Sequence, residues 1–210
     1  MVIFSMIGVC GCMSNETGIT KEVQEYLKSK YNKDFTVESF NSRGLDSPYD
    51  ELICLSPENE EFTVYVDYSD NGKTISDNYY GLIKKADYAN LVKGIIDKNI
   101  SDYKYYFRFT ANYFDSEFTE DVDIKQAISG NAQQFFTRNY IFVDENRADE
   151  IDEATFESLC AGFKEQGMTL FVAVYKVPSD VYGDMNADDD YNSYLSQDFC
   201  QNALFEKTVK

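Results

Sequence analysis

The run Asp184-Met-Asn-Ala-Asp-Asp-Asp190 places oxygen ligands at alternate positions, as a calcium-binding loop does. Asp184, Asn186, Asp188 and Asp190 are the candidate ligands. The rest of that pattern is missing, because Asp189 stands where the turn glycine belongs and Leu195 where a bidentate Glu would close the site. The run therefore reads first as a solvated acidic loop, with any calcium weakly held, and no other cofactor is expected. Asp67-x-Ser69-x-Asn71-Gly72 has a similar spacing, but it lies between strand-like segments and reads as a hairpin turn. Adjacent carboxylates occur at Glu60-Glu61, Glu120-Asp121, Asp149-Glu150 and Asp152-Glu153. A hydrolase of cell wall or peptides built from carboxylates alone needs two acids facing each other across a cleft, with their pKa values driven apart. Adjacency in sequence does not supply that. Histidine is absent. This removes Ser-His-Asp and Cys-His nucleophile activation and His-ligated zinc. No phosphate-cradling glycine loop or nucleophile elbow occurs either.

Aromatic residues offer a second kind of chemistry. Tyr79-Tyr80 and Tyr103-Tyr105-Tyr106 could stack on a sugar or a peptide, although a chain without Trp makes a poor carbohydrate platform. At strand spacing such residues more often build core and cross-strand pairs. Tyr65, Tyr106 and Arg108 fall on strand faces expected to meet water, and they are the candidate ligand-binding residues.

The elements that must position these groups follow from periodicity. Ile19, Val23, Leu27 and Tyr31 recur every fourth residue, which predicts a helix with Thr20 as its N-cap. Phe35–Phe40, Glu51–Ser56 and Glu61–Tyr68 read as strands. In the last, Phe62, Val64, Val66 and Tyr68 face one way and Thr63, Tyr65 and Asp67 the other. Asp70-Asn71-Gly72-Lys73 is a tight-turn signal, and Leu82 to Lys98 fits a closing helix. In the second half, Tyr103–Phe114 alternates over its whole length, which predicts a strand with Tyr105 on a buried face and Tyr106 and Arg108 on a wet one. Asp121–Phe136 permits a helix weakened by Gly130, and Asn139–Asp144 is a short apolar strand. Asp152 should cap a helix through Phe156, Leu159, Cys160 and Phe163, stopped by Gly167. Thr169–Val177 is apolar throughout, which predicts a central strand covered on both faces. The tail, Tyr191–Lys210, should pack as one helix or strand. The expected class is α+β, with two small antiparallel sheets each packed with helices, in domains of residues 19–98 and 102–210.

The 210 residues carry 37 acidic and 19 basic side chains, a formal charge of −18. A surface this acidic repels phosphate backbones and anionic membrane surfaces, so nucleic acid is not an expected partner. The 17 Tyr and 16 Phe suffice for a sizeable core without Trp. Lys outnumbers Arg fifteen to four, which hints at an AT-rich genome and a low-GC Gram-positive source.

The first residues carry an address. An apolar run from Met1 ends in Val9-Cys10-Gly11-Cys12 and is followed by the small, polar Met13-Ser-Asn-Glu-Thr-Gly18. This resembles the lipobox of bacterial lipoproteins. The resemblance implies a signal segment ending at Cys12, a lipid on that cysteine, residues 13–18 as a tether, and a protein held on the outer face of the cell membrane. No Lys or Arg precedes Lys21, where a signal peptide would normally be basic, and a start upstream of Met1 would explain this. With Cys10 and Cys12 assigned there, Cys54, Cys160 and Cys200 remain and can form at most one disulfide. Cys160, on an apolar helix face, reads as a small buried hydrophobe. The element order from Ile19 to Tyr80, with "Val-Asp-x-x-x-Asn-Gly-Lys" at 66–73, loosely resembles PepSY and cystatin-like units, in which a helix packs across a small antiparallel sheet. The resulting expectation is a surface protein that binds a protein, peptide or glycan. The alternatives are a carboxylate-only hydrolase and a soluble cytoplasmic protein.

Overall fold

A computed structural model describes residues 12–44, 47–68, 72–110, 113–130, 135–186 and 191–210. The chain forms two compact units, residues 1–82 with 113–121, and residues 83–112 with 122–210. The expected boundary at Lys98–Asp102 is therefore moved. The helix predicted over Leu82–Lys98 is interrupted at Lys84, and its longer part belongs with the second sheet.

In the first unit, helix α1 (Cys12–Tyr31) precedes strands β1 (Thr36–Asn41), β2 (Tyr49–Leu55), β3 (Glu61–Asp67) and β4 (Thr74–Asp77), which form an antiparallel meander in that order. Ile19, Val23, Leu27 and Tyr31 are the buried stripe of α1, as their spacing predicts. The helix extends well before Thr20, over the residues read as a tether. Along β2 and β3 buried and part-exposed positions alternate, so one face is core and the other is open. The core face carries Leu52, Cys54, Phe62, Val64 and Val66. Tyr31, Phe35 and Tyr79 pack edge-on to one another, and Phe62 joins them edge-on to Phe35 and tilted on Tyr79, with ring centroids 4.9–5.9 Å apart. The short strand β4 was not anticipated. It pairs with β3, and the turn read at Asp70-Asn71-Gly72-Lys73 falls partly on residues 69–71, which lie outside the described residues. The chain returns at 113–121, where Phe114 bridges Asp77 and packs its ring edge-on to Tyr80 and tilted on Phe118.

The second unit contains α3 (Lys85–Ile96), reached through the short α2 (Tyr79–Ile83), and then β5 (Lys104–Phe109), α4 (Ile124–Gly130) and β6 (Thr137–Asp144). These are followed by α5 (Glu153–Glu165), β7 (Leu170–Val177), α6 (Ser179–Asp184), α7 (Tyr191–Leu195) and β8 (Phe205–Val209). The sheet order is β5-β6-β7-β8. It is mixed rather than antiparallel, because β6 and β7 run parallel. Helix α5 is the crossover that parallel neighbours require, and both central strands are apolar nearly throughout. The predicted cap and stop of α5 are present. The Thr155 backbone N–H donates to Asp152 at 2.8 Å, and Gly167 sits at φ +68°. The tail supplies both a helix and a strand.

The strand predicted over Tyr103–Phe114 ends at Phe109, and it has no wet face along most of its length. On one side, Tyr88 of α3 packs on Phe107 and Phe109. On the other, Tyr106, Tyr140, Phe142 and Tyr175 lie beneath Tyr182, Met185 and Cys200. Alternation therefore marked the two faces of β5 correctly but misread what covers the second. Among the described residues, no helix is long and apolar enough to cross a membrane.

Candidate functional site

The open face of the first sheet is built by strand pleating. Register places Tyr49 opposite Asp67, Glu51 opposite Tyr65, Ile53 opposite Thr63 and Leu55 opposite Glu61. Tyr65 touches Tyr49 on one side, with centroids 4.7 Å apart, and Tyr113 of the returning segment on the other at 4.0 Å. Tyr49 is 37 % exposed, while Tyr65 and Tyr113 are part-exposed. The result is a three-ring ladder on a face to which β1–β4 contribute Glu51, Glu61 and Asp67 but neither Lys nor Arg. Burial and the neighbouring Tyr113 hydroxyl push the Tyr65 pKa up, so its phenol stays neutral.

Electrostatics sharpen this face. The first unit holds eighteen acidic side chains and six basic ones, Lys21, Lys28, Lys30, Lys33, Arg43 and Lys73. Each of the six is already engaged. The lysines pair with Glu25, Asp34, Asp77, Glu120 and Glu22, and the Arg43 guanidinium lies 3.8 Å from the Tyr68 ring centroid. Arg43 beside Tyr68, whose hydroxyl donates to Asp50 at 2.8 Å, shows the chemistry such a surface offers a cation.

Behind the sheet lies a buried polar cluster. Lys30 Nζ donates to Asp77 Oδ2 at 2.8 Å, to the Phe114 carbonyl at 2.7 Å and to the Tyr26 hydroxyl at 3.2 Å. The Tyr31 hydroxyl and the Tyr79 N–H donate to Asp77 Oδ1 at 2.7 and 3.0 Å. Burial lowers the Lys30 pKa and raises those of Tyr26 and Tyr31. Its donors and acceptors are matched, so the cluster fastens α1, β4 and the returning segment together and leaves nothing aimed at a ligand.

In the second unit, Tyr106 is buried and donates its hydroxyl to the Asn186 carbonyl, which removes it as a surface contact. Arg108 is exposed and stands directly across from Arg138. Tyr65 thus belongs to one unit and Tyr106 and Arg108 to the other. Of the calcium candidates, Asp184 ends α6 and its carbonyl accepts from the Asn186 amide at 2.8 Å. Asp188 and Asp190 lie outside the described residues. Among the described residues no three acidic or cysteine side chains gather as a metal group would.

Other polar clusters are structural in character. Asp102, at φ +54°, accepts from Arg147 at 2.9 Å and from Tyr182 at 3.1 Å, while Arg147 also grips Glu150 through two nitrogens. Hydrogen bonds from Asn146, Arg147 and Thr155 hold Asp144, Glu150 and Asp152 below the usual carboxylate range, opposite to what a proton-donating acid needs. Cys54, Cys160 and Cys200 are unpaired and buried, and burial pushes their thiols up to about 12, 11 and 12. They are poor nucleophiles.

No family model and no curated relative matches the chain. Among solved structures it is similar to a crystal structure of a DUF5037 family protein from Ruminococcus gnavus ATCC 29149, with 13% identity over 90% of each chain and a TM-score of 0.44.

Proposed function

We propose that this chain is a binding protein, tethered by a lipid on Cys12 to the outer face of the cell membrane, that holds a basic polypeptide segment on the open face of its first sheet. The supporting observation is the Tyr49–Tyr65–Tyr113 ladder with Glu51 directly across from Tyr65 and Glu61 farther along the same face, in a unit whose basic side chains are all spent internally. A guanidinium or ammonium laid over an exposed tyrosine gains about 0.5–1 kcal/mol, and more as water leaves. Complementary charge speeds encounter and sets register.

Calorimetric titration of the full chain with a deca-arginine peptide at low salt tests the reading. Tyr65→Ala should weaken binding about tenfold, the loss of one aromatic anchor. Glu51→Gln should weaken it less and flatten its salt dependence, while Glu165→Gln in α5 should change neither. Equal binding by the wild type and Tyr65→Ala would discard the site. Detergent phase partition of the wild type against Cys12→Ala tests the tether, and retention of both in water would discard it.

A further inference from the structure

We propose that Arg108 and Arg138 form a phosphate-binding site on the second sheet, separate from the face described above. The chain has four arginines. Arg43 lies on Tyr68, and Arg147 is held by Asp102, Ser101 and Glu150. The remaining two are directly opposed across β5 and β6. Opposed side chains on one sheet face stand about 5 Å apart at Cβ, and like charges there are destabilising. In a chain with 37 acids, an intramolecular carboxylate would be the simplest relief. Among the described residues neither guanidinium forms an ion pair, and both are exposed. The repulsion is therefore left standing at a place where an outside dianion would remove it.

The surroundings favour an oxyanion. Arg138 lies over the Phe171 ring, 5.6 Å from its centroid, which fixes the guanidinium plane while leaving its donor edge free. Register continues the row from Arg108 through Arg138 and Phe171 to the exposed Thr208, whose hydroxyl can add a donor. The segment that buries Tyr106 and Tyr140 in the adjoining row leaves both arginines uncovered. Two guanidinium forks present parallel N–H donors matched to phosphate oxygens, and two positive charges match a dianion better than a single carboxylate. The net charge of −18 does not cancel this locally, since charges more than about 10 Å away are screened at 0.1 M salt. It does repel an extended polyanion, whether nucleic acid or an anionic bilayer, which leaves a small free phosphate.

The test is thermal unfolding and arginine side-chain NMR of the full chain in inorganic phosphate against chloride of matched ionic strength. Phosphate should shift the Arg108 and Arg138 Nε–H signals saturably and raise Tm by about 3 °C at ten times its Kd. Arg138→Gln should raise Tm in chloride, by relieving the repulsion, and abolish the phosphate increment. Arg108→Gln should behave alike. If phosphate acts no differently from chloride, or if the phosphate shift survives in both variants, the site does not exist.

Discussion

Lys30 shows what one residue contributes to this fold and why its role was hidden. Its helix was legible, since Ile19, Val23, Leu27 and Tyr31 carry the apolar period, but a lysine beside that stripe reads as a snorkelling edge residue. Its partner Asp77 is 47 residues away and the Phe114 carbonyl 84, and no local pattern announces either. Both charged side chains are essentially excluded from water. Removing one partner leaves the other charge buried alone, at a cost of about 3–5 kcal/mol, whereas replacing both with apolar groups of similar volume can be neutral. Lys30→Met should therefore lower the urea midpoint strongly, and Lys30→Met with Asp77→Leu should recover much of the loss. Equal instability of the single and double variants would mean that Tyr31 and Tyr79, which also bond Asp77, carry the cluster. The open-face tyrosines were easier to foresee. Alternation exposed Tyr65, but its contact with Tyr113 depends on a chain return that periodicity cannot show.

At the scale of elements, two helical glycines separate propensity from packing. Gly94 in α3 has open space where a Cβ would go, and Gly94→Ala should stabilise by up to about 1 kcal/mol through helix propensity. A Cβ on Gly162 in α5 would come within 2.8 Å of Ile95 Cγ2, the contact through which α5 packs on α3. Overpacking costs about 1–3 kcal/mol, which outweighs the same gain, so Gly162→Ala should destabilise. Opposite shifts in Tm would establish this, and two upward shifts would show that the α3–α5 contact yields. Most elements were legible because their signals are local. The α1 stripe, the Asp152 cap, the Gly167 stop and the apolar run of β7 all appear where residue type requires. The parallel pairing of β6 with β7 was not legible. A strand buried on both faces looks the same beside a parallel or an antiparallel neighbour, and only the crossover through α5 decides. The burial of Tyr106 was missed for a related reason, since alternation reports two faces and not what later covers them.

For the molecule as a whole, tyrosine burial makes high pH the condition that opens it. Tyrosine ionises near 10.0 in an unfolded chain, whereas burial pushes Tyr88 up to about 12, Tyr31 further, and Tyr105 well above its ordinary value. The folded state keeps protons that the unfolded chain has lost. The stability these groups confer is complete below pH 10 and declines as pH rises from 10 toward their folded values, by about 1.4 kcal/mol per pH unit for each tyrosine. Lys30 acts in the opposite sense. Its folded pKa is lowered below 10.5, so its contribution rises with pH up to that value and then levels. One lysine is outweighed by three deeply placed tyrosines, and the net slope above pH 10 is downward. Tyr31 bonds a carboxylate in the first unit, and Tyr88 meets Thr137 and Asn139 in the second, so both units carry the liability. A pH titration should show tyrosinate absorbance and loss of circular dichroism rising together in one steep step. Tyr31→Phe should make the loss of stability with pH shallower. Smooth ionisation centred near pH 10 with the dichroism unchanged would mean that these hydroxyls already face water, and the polar clusters described above would then not be closed.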